Sequence, residues 1–228
     1  MSKLFAIGLG PGDPELITLK AARLLHEVDT IFVPSQDGRP SLALRIAGDL
    51  IETEKLRELA FVMSTSREHN VGRWREHAAA IATEVNQGRS AAFVTEGDPL
   101  LYSTFIHVYE QLLRDFPELS VEIVPGVSSI TAGAAAVQRP LGIDRERVGI
   151  VPATGDVMHG LATFDAIVIL KVSAALDNVL RALKVTGRAD QAVYVERAGW
   201  PDQRVVQDVE QLRKQKLDYF GQIVVTRR

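Results

Sequence analysis

The sequence has no cysteine among its 228 residues. That removes disulfides, thiolate metal sites and cysteine nucleophiles from consideration. It also lacks any apolar run approaching the roughly 20 residues that a membrane-crossing helix needs, so no membrane partner is expected. The opening stretch MSKLFAIGLGPGDPE holds a short apolar run, but glycine, proline and acids follow it without the small-residue cleavage site of a signal peptide. Neither sign of charge dominates. The formal net charge is −3 and no concentrated basic patch is visible, which argues against nucleic acid as a partner. Repeats and low-complexity segments are missing as well. Among His26, His69, His77, His107 and His159, no pair has the H-x-x-x-H spacing of a helical metal site, so no metal of the protein's own is expected. These absences leave a cytoplasmic enzyme acting on a small molecule.

What is present describes an ordinary globular chain, 46% hydrophobic and 24% charged. The length suits two compact units of about 110 residues each. Short β-rich runs alternate with helical patterns: KLFAIGLG, a helix from about Pro14, TIFVPS, a helix near 41–51, ELAFVM, a helix near 73–86, and SAAFVTEG. This alternation predicts an α/β unit with parallel strand pairing. Asp13 is a good N-cap before Pro14, and Ile17, Ala21, Leu24, Leu25 and Val28 share one face at helical spacing. His26, near the end of that helix, reads as a favourable dipole contact. After a helix over about 101–114, DFPELS carries Pro117 and several polar residues, which places a domain boundary there: 1–117 and 118–228. The strands of the second unit read VEIV, RVGIV, AIVIL, AVYV, RVVQ and QIVVTR. The later ones lie close together, which predicts a mixed sheet with antiparallel pairs.

Three segments could carry chemistry. GLGPGDPE follows a strand and opens a helix, but its spacing departs from the G-x-G-x-x-G of a dinucleotide fold. Asp13 stands at the last fingerprint position, where its charge would oppose a pyrophosphate. TEGDPLLYST follows the strand SAAFV, with a glycine for close backbone approach and an Asp-Pro step that ends the strand. VPGVSSITAGAAAVQRPL runs from a strand into a helix whose first turn carries Ser128 and Ser129. Hydroxyls and unpaired amides there suit a carboxylate or a ribose, and the small residues from Ala132 to Ala136 permit close packing.

In this order, GLGPGDPELITLKAA, TEGDPLLYST and VPGVSSITAGAAAVQRPL, followed by YVERAG before Trp200, resemble the tetrapyrrole methylase family from Leu4 to about Gly199. The resemblance implies two α/β domains of the class III methyltransferase type, with the cofactor S-adenosyl-L-methionine in the interdomain cleft and S-adenosyl-L-homocysteine as product. IFVPSQDGRPSLALRIA and VILKVS look like the branch that methylates C20 of precorrin-2 or of cobalt-factor II in cobalamin synthesis. Uroporphyrinogen methylases place an aspartate where this chain has Pro34, which argues against that reaction. Carried over position by position, the cofactor contacts fall on Pro11, Gly97, Asp98, Leu101, Ser128, Ser129, Lys171 and Ala198. Asp98 is the candidate catalytic residue, as the group that orients the cofactor; removal of the C20 proton falls to another carboxylate, a water or the macrocycle.

The glycine-rich loop with Gly10 and Gly12 is expected on the tetrapyrrole side. Arg39, Arg45, Arg139 and Arg197 are candidates for the substrate carboxylates, with Lys20 and Arg23 as substitutes. The resemblance also implies a homodimer; Phe61, Val62 and Trp74 could supply an apolar interface and could as easily be core. The competing readings are another methylase of the family (a precorrin-3 or precorrin-4 enzyme, or a diphthine synthase), a non-catalytic adenosyl-ligand-binding protein, and a nucleotide-binding oxidoreductase.

Overall fold

The computed structural model describes residues 2–35, 41–61 and 66–227. The chain divides into two compact units, Met1–Ser128 and Ser129–Arg228.

In the first unit, β1 (Leu4–Gly8), α1 (Leu19–Glu27), β2 (Thr30–Ser35), α2 (Leu42–Ala47), β3 (Leu56–Ala60), α3 (Arg67–Asn86), β4 (Ala91–Thr95), α4 (Phe105–Asp115) and β5 (Val121–Val124) alternate along the chain. The strands form one sheet in the order β3-β2-β4-β1-β5, and every pairing is parallel. Such a sheet is covered on both faces, which is why β4 reads as an unbroken apolar run and is buried at every residue. Phe93, Phe105, Val108, Leu112, Ile81 and Val85 form the core between this sheet and the α3–α4 pair.

Two local expectations change. Pro14 opens a short 3-10 turn, Pro14–Leu16, with the Asp13 carboxylate accepting from the Glu15 amide. The α-helix itself starts at Leu19, where Thr18 Oγ1 accepts from the Ala21 amide at 3.1 Å. The expected boundary at Pro117 also moves. Val121–Val124 pairs with β1 in parallel register, Leu4 opposite Val121, and Leu119, Val121 and Ile123 pack on the first core. The polar DFPELS stretch is the connection from α4 to β5, and the division falls at Ser128.

The second unit opens with α5 (Ser129–Ala136) and continues through β6 (Val148–Pro152), α6 (Val157–Thr163), β7 (Ala166–Leu170), α7 (Leu176–Val185), β8 (Ala192–Glu196), β9 (Arg204–Val206) and β10 (Gly221–Val225). Its sheet runs β6-β7-β10-β8-β9, parallel only between β6 and β7. It is the mixed sheet predicted from the spacing of the later strands. One face packs α6 and α7 through Ile167, Ile169, Leu180, Leu183, Tyr194 and Ile223. The other face carries Val193, Val195 and Val224 with Val137 and Ala198. Among the described residues no helix is long and apolar enough to cross a membrane, and no cluster of three or more potential metal ligands occurs.

Candidate active site

In open parallel sheets, ligands bind beyond the carboxyl ends of the strands. In the first unit β4, β1 and β5 end side by side, and each runs into one of the three segments singled out from the sequence. Leu9 donates its amide to the Thr95 carbonyl at 2.9 Å, and Gly10 and Gly97 exchange backbone hydrogen bonds at 3.3 and 2.7 Å. Both of these glycines have left-handed φ, +81° and +61°, a conformation that costs glycine nothing sterically.

Three glycines bring the segments together. A Cβ on Gly8 would lie 2.5 Å from the Gly97 carbonyl oxygen and 2.6 Å from the Gly126 nitrogen. A Cβ on Gly126 would lie 2.8 Å from the Gly8 Cα and closer still to the Gly97 oxygen. The chains after β1, β4 and β5 therefore touch backbone to backbone, with no room for a side chain at Gly8 or Gly126.

Asp98 ties the same segments through its carboxylate. Oδ1 accepts from the Leu100 amide at 2.9 Å and Oδ2 from the Gly126 amide at 3.2 Å. A carboxylate has about four acceptor positions, so capacity remains for a ligand hydroxyl. Behind it the buried hydroxyls of Thr95 and Ser103 lie 3.0 Å apart, and Ser103 Oγ accepts from the Phe105 amide. This fixes the start of α4 four residues later than the helix expected from Leu101. Leu101 lies in the intervening turn, its amide donating to the Asp98 carbonyl at 3.4 Å.

Glu96, between Thr95 and Gly97, was not singled out from the sequence. Burial pushes its carboxyl above the usual range, and hydrogen bonds from its own amide and that of Ala43 oppose the shift. Ala43 is the second residue of α2, whose amide an N-cap side chain ordinarily serves. Here the N-cap residue Ser41 makes no such bond, and its buried Oγ has no partner. A charged residue immediately after a fully buried strand is the signal that could have drawn attention to Glu96.

The remaining expected residues fall as follows. Gly10, Pro11, Gly12, Gly97, Asp98 and Leu101 lie in the two bridged loops of the first unit, and Ser128 ends that unit. Arg45 stands exposed in the last turn of α2. Arg39 and Val62 lie outside the described residues. In the second unit Ser129 begins α5, and Ala198 is buried beside Val137 and Val195. Lys171 follows β7 with a left-handed φ of +56°, its ammonium 5.8 Å from the Tyr219 ring centroid.

Two of the arginines are engaged inside the second unit. Arg139 donates to the Gln191 carbonyl at 2.6 Å. Arg197 donates to Asp218 at 2.8 Å and to Asp202. Arg197 belongs to a larger network in which the Glu196 carboxylate accepts from the Tyr194 hydroxyl at 2.5 Å, Arg204 Nε at 2.7 Å and the Asp218 amide at 3.1 Å. Burial acts to raise the Glu196 carboxyl, but these hydrogen bonds outweigh it and hold the group below its ordinary range.

The model of the tetrapyrrole (corrin/porphyrin) methylases matches residues 3–212. The chain is 33% identical over 231 residues to the cobalt-precorrin-2 C(20)-methyltransferase of Salmonella typhimurium, covering 99% of this chain and 96% of that one. It is 31% identical to the precorrin-2 C(20)-methyltransferase of a Sinorhizobium species, covering 86% and 84%. Identity to the cobalamin biosynthesis protein CobIJ of Mycobacterium tuberculosis is 37%, where the match takes in 89% of this chain but only 42% of CobIJ's length. Among solved structures, a cobalt precorrin-4 methyltransferase superposes with a TM-score of 0.76 at 24% identity, covering 98% and 94%. The uroporphyrin-III C-methyltransferase of Thermus thermophilus, complexed with S-adenosyl homocysteine, gives 0.70 at 23% identity, covering 99% and 98%. On the family match and these full-length relatives, the chain belongs to the tetrapyrrole (corrin/porphyrin) methylases.

Proposed function

We propose that this chain is the C20-methyltransferase of cobalamin synthesis, moving a methyl group from S-adenosyl-L-methionine to precorrin-2 or cobalt-factor II, as a homodimer in the cytoplasm. The observation that carries the reading is the alignment with the Salmonella enzyme, which runs through nearly the whole of both chains. The residues at the carboxyl end of the first sheet fit an adenosyl cofactor. Gly8 and Gly126 leave the Gly97 carbonyl room to approach where the three loops meet, and Asp98 retains acceptor capacity beside them. The cofactor set is Pro11, Gly97, Asp98, Leu101 and Ser128 from the first unit with Ser129, Lys171 and Ala198 from the second.

Bound S-adenosylmethionine supplies an already activated sulfonium methyl. The chain's own contribution is then alignment and electrostatic placement. Asp98, held by the Leu100 and Gly126 amides, orients the cofactor. Gly10 and Gly12 face the tetrapyrrole, and Arg39 and Arg45 meet its carboxylates. Arg139 and Arg197, already engaged by Gln191, Asp202 and Asp218, serve mainly to hold their own unit.

The test is anaerobic incubation with S-adenosylmethionine and, separately, precorrin-2, cobalt-factor II and uroporphyrinogen III, read by mass spectrometry. The expected result is the mass of one methyl group on precorrin-2 or cobalt-factor II and none on uroporphyrinogen III. Methylation of uroporphyrinogen III alone, or cofactor binding without transfer to any of the three, would overturn the assignment.

A further inference from the structure

Gln222 lies in β10 within the apolar layer between the second sheet and α5. Its side chain is 3% exposed, and valines 193, 195 and 224 occupy the same face of the sheet. Nε2 donates to the Ser129 carbonyl at 2.6 Å. A carbonyl can only accept, so this bond fixes which end of the amide faces α5. Oε1 then points the other way, buried without a partner.

One turn into α5, Gly133 leaves the gap through which the amide passes. A Cβ there would fall on the Gln222 side chain, 2.8 Å from Cδ and nearer still to Nε2. Any larger residue would push the amide off Ser129. A leucine at 222 would fill the layer without leaving an orphan acceptor, and buried polar groups without partners ask for an explanation. The one thing the amide does that leucine could not is grip the first carbonyl of α5.

We propose that Gln222 and Gly133 form a positioning pair for the cofactor site, the amide of Gln222 fixing where the first turn of α5, and with it the hydroxyl of Ser129, sits on the sheet. This rests on the reading that Ser129 belongs to the cofactor set. The pair does not touch the reacting atoms; it acts through Ser129. Gly133 is therefore a requirement of the cofactor site and not only one more small residue in a closely packed helix.

The test uses the full chain and three readouts: S-adenosylhomocysteine affinity by calorimetry, the Tm without ligand, and KM against kcat. Gln222→Leu keeps the volume and removes both the donor and the orphan oxygen. It is expected to keep or raise the Tm while weakening S-adenosylhomocysteine by roughly tenfold, one hydrogen bond's worth, and to raise KM for S-adenosylmethionine with kcat largely retained. Gly133→Ala keeps the amide but displaces it, and is expected to weaken binding similarly. Adding Gln222→Ala to Gly133→Ala should restore the Tm but not the affinity.

Unchanged affinity and KM in Gln222→Leu, or an affinity loss in both single variants that only tracks a fall in Tm, would overturn the proposal. If the unaltered chain itself fails to bind S-adenosylhomocysteine, the cofactor assignment falls and the positioning role falls with it. Binding by the unaltered chain with no change in Gln222→Leu removes the positioning role alone.

Discussion

Beyond β1, β4 and β5 the first unit brings its loops together by removing side chains: Gly8 and Gly126 meet each other and the Gly97 carbonyl as bare backbone. Around β8, β9 and β10 the second unit does the reverse, and Tyr194, Glu196, Arg197, Arg204 and Asp218 hold the strand ends by saturating one another. The two arrangements differ in how they fail. A backbone contact has no rotamer to adjust, so one added atom forces the loops apart. A side-chain network loses one bond at a time, and its strength follows pH.

The largest effect should come from Gly126→Ala. The new Cβ would overlap the Gly97 carbonyl and the Gly8 backbone, and none of these atoms can swing away. A cost of about 3 kcal/mol, roughly 6–12 °C in Tm, is expected from overpacking of this kind, together with loss of S-adenosylhomocysteine binding. Gly97→Ala is the control within the same cluster. No atom lies within 4 Å of its hypothetical Cβ, so only the left-handed φ is penalised, at about 1–2 kcal/mol. Thermal unfolding of the two variants measures the difference. Equal losses would mean that the close approach of the three loops is not what holds them.

Next in size is Glu196→Gln in the second unit. Glutamine offers one acceptor oxygen where the carboxylate serves Tyr194, Arg204 and the Asp218 amide, so at least one buried donor is stranded. The expected cost is about 2 kcal/mol, roughly 4–8 °C in Tm. The carboxyl of Glu196 is held below its ordinary value of 4.5 in the folded chain. Its stabilising contribution is therefore present above the carboxylate range and lost as pH falls through the folded value. The deficit of the variant should hold from pH 7 to about pH 4.5 and shrink as pH falls below that. A deficit that is constant with pH would assign the loss to packing and not to charge.

These two regions were not equally legible in the sequence. Among the described residues most strands follow from apolar runs bounded by turn residues, and TIFVPS and AIVIL match β2 and β7 end for end, whereas β3 starts two residues before the run ELAFVM and carries Arg57 and Glu58. The three motifs and Asp98 were visible because each is contiguous. Hidden were the relations between distant residues: that Gly8, Gly97 and Gly126 meet, that Gln222 reaches through Gly133, and that Arg197 is taken up by Asp202 and Asp218. Hydrophobic periodicity registers which face of an element is buried and carries nothing about which backbone lies against it. The misplaced boundary has the same origin. DFPELS has the composition of a linker, whereas the pairing of Val121–Val124 with β1 is a long-range fact.

Glu96 gives the smallest effect and the sharpest contrast, because it is a half-buried glutamate of the first unit whose shift runs opposite to that of Glu196. Burial raises its carboxyl above the ordinary 4.5, and the amides of Glu96 and Ala43 only partly compensate. A folded-state pKa above the unfolded value means that the folded chain holds this proton more tightly. The contribution is fully present below about pH 4.5 and lost as pH rises through the folded value. Glutamine imitates the protonated acid. Glu96→Gln should therefore melt slightly higher than the unaltered chain at pH 7, with the gap closing by pH 4. Glu196→Gln starts below the unaltered chain, and its deficit begins to shrink only where the Glu96 gap has already closed. If Glu96→Gln instead melts lower at pH 7, the favourable placement of the carboxylate's charge near the start of α2 outweighs its burial.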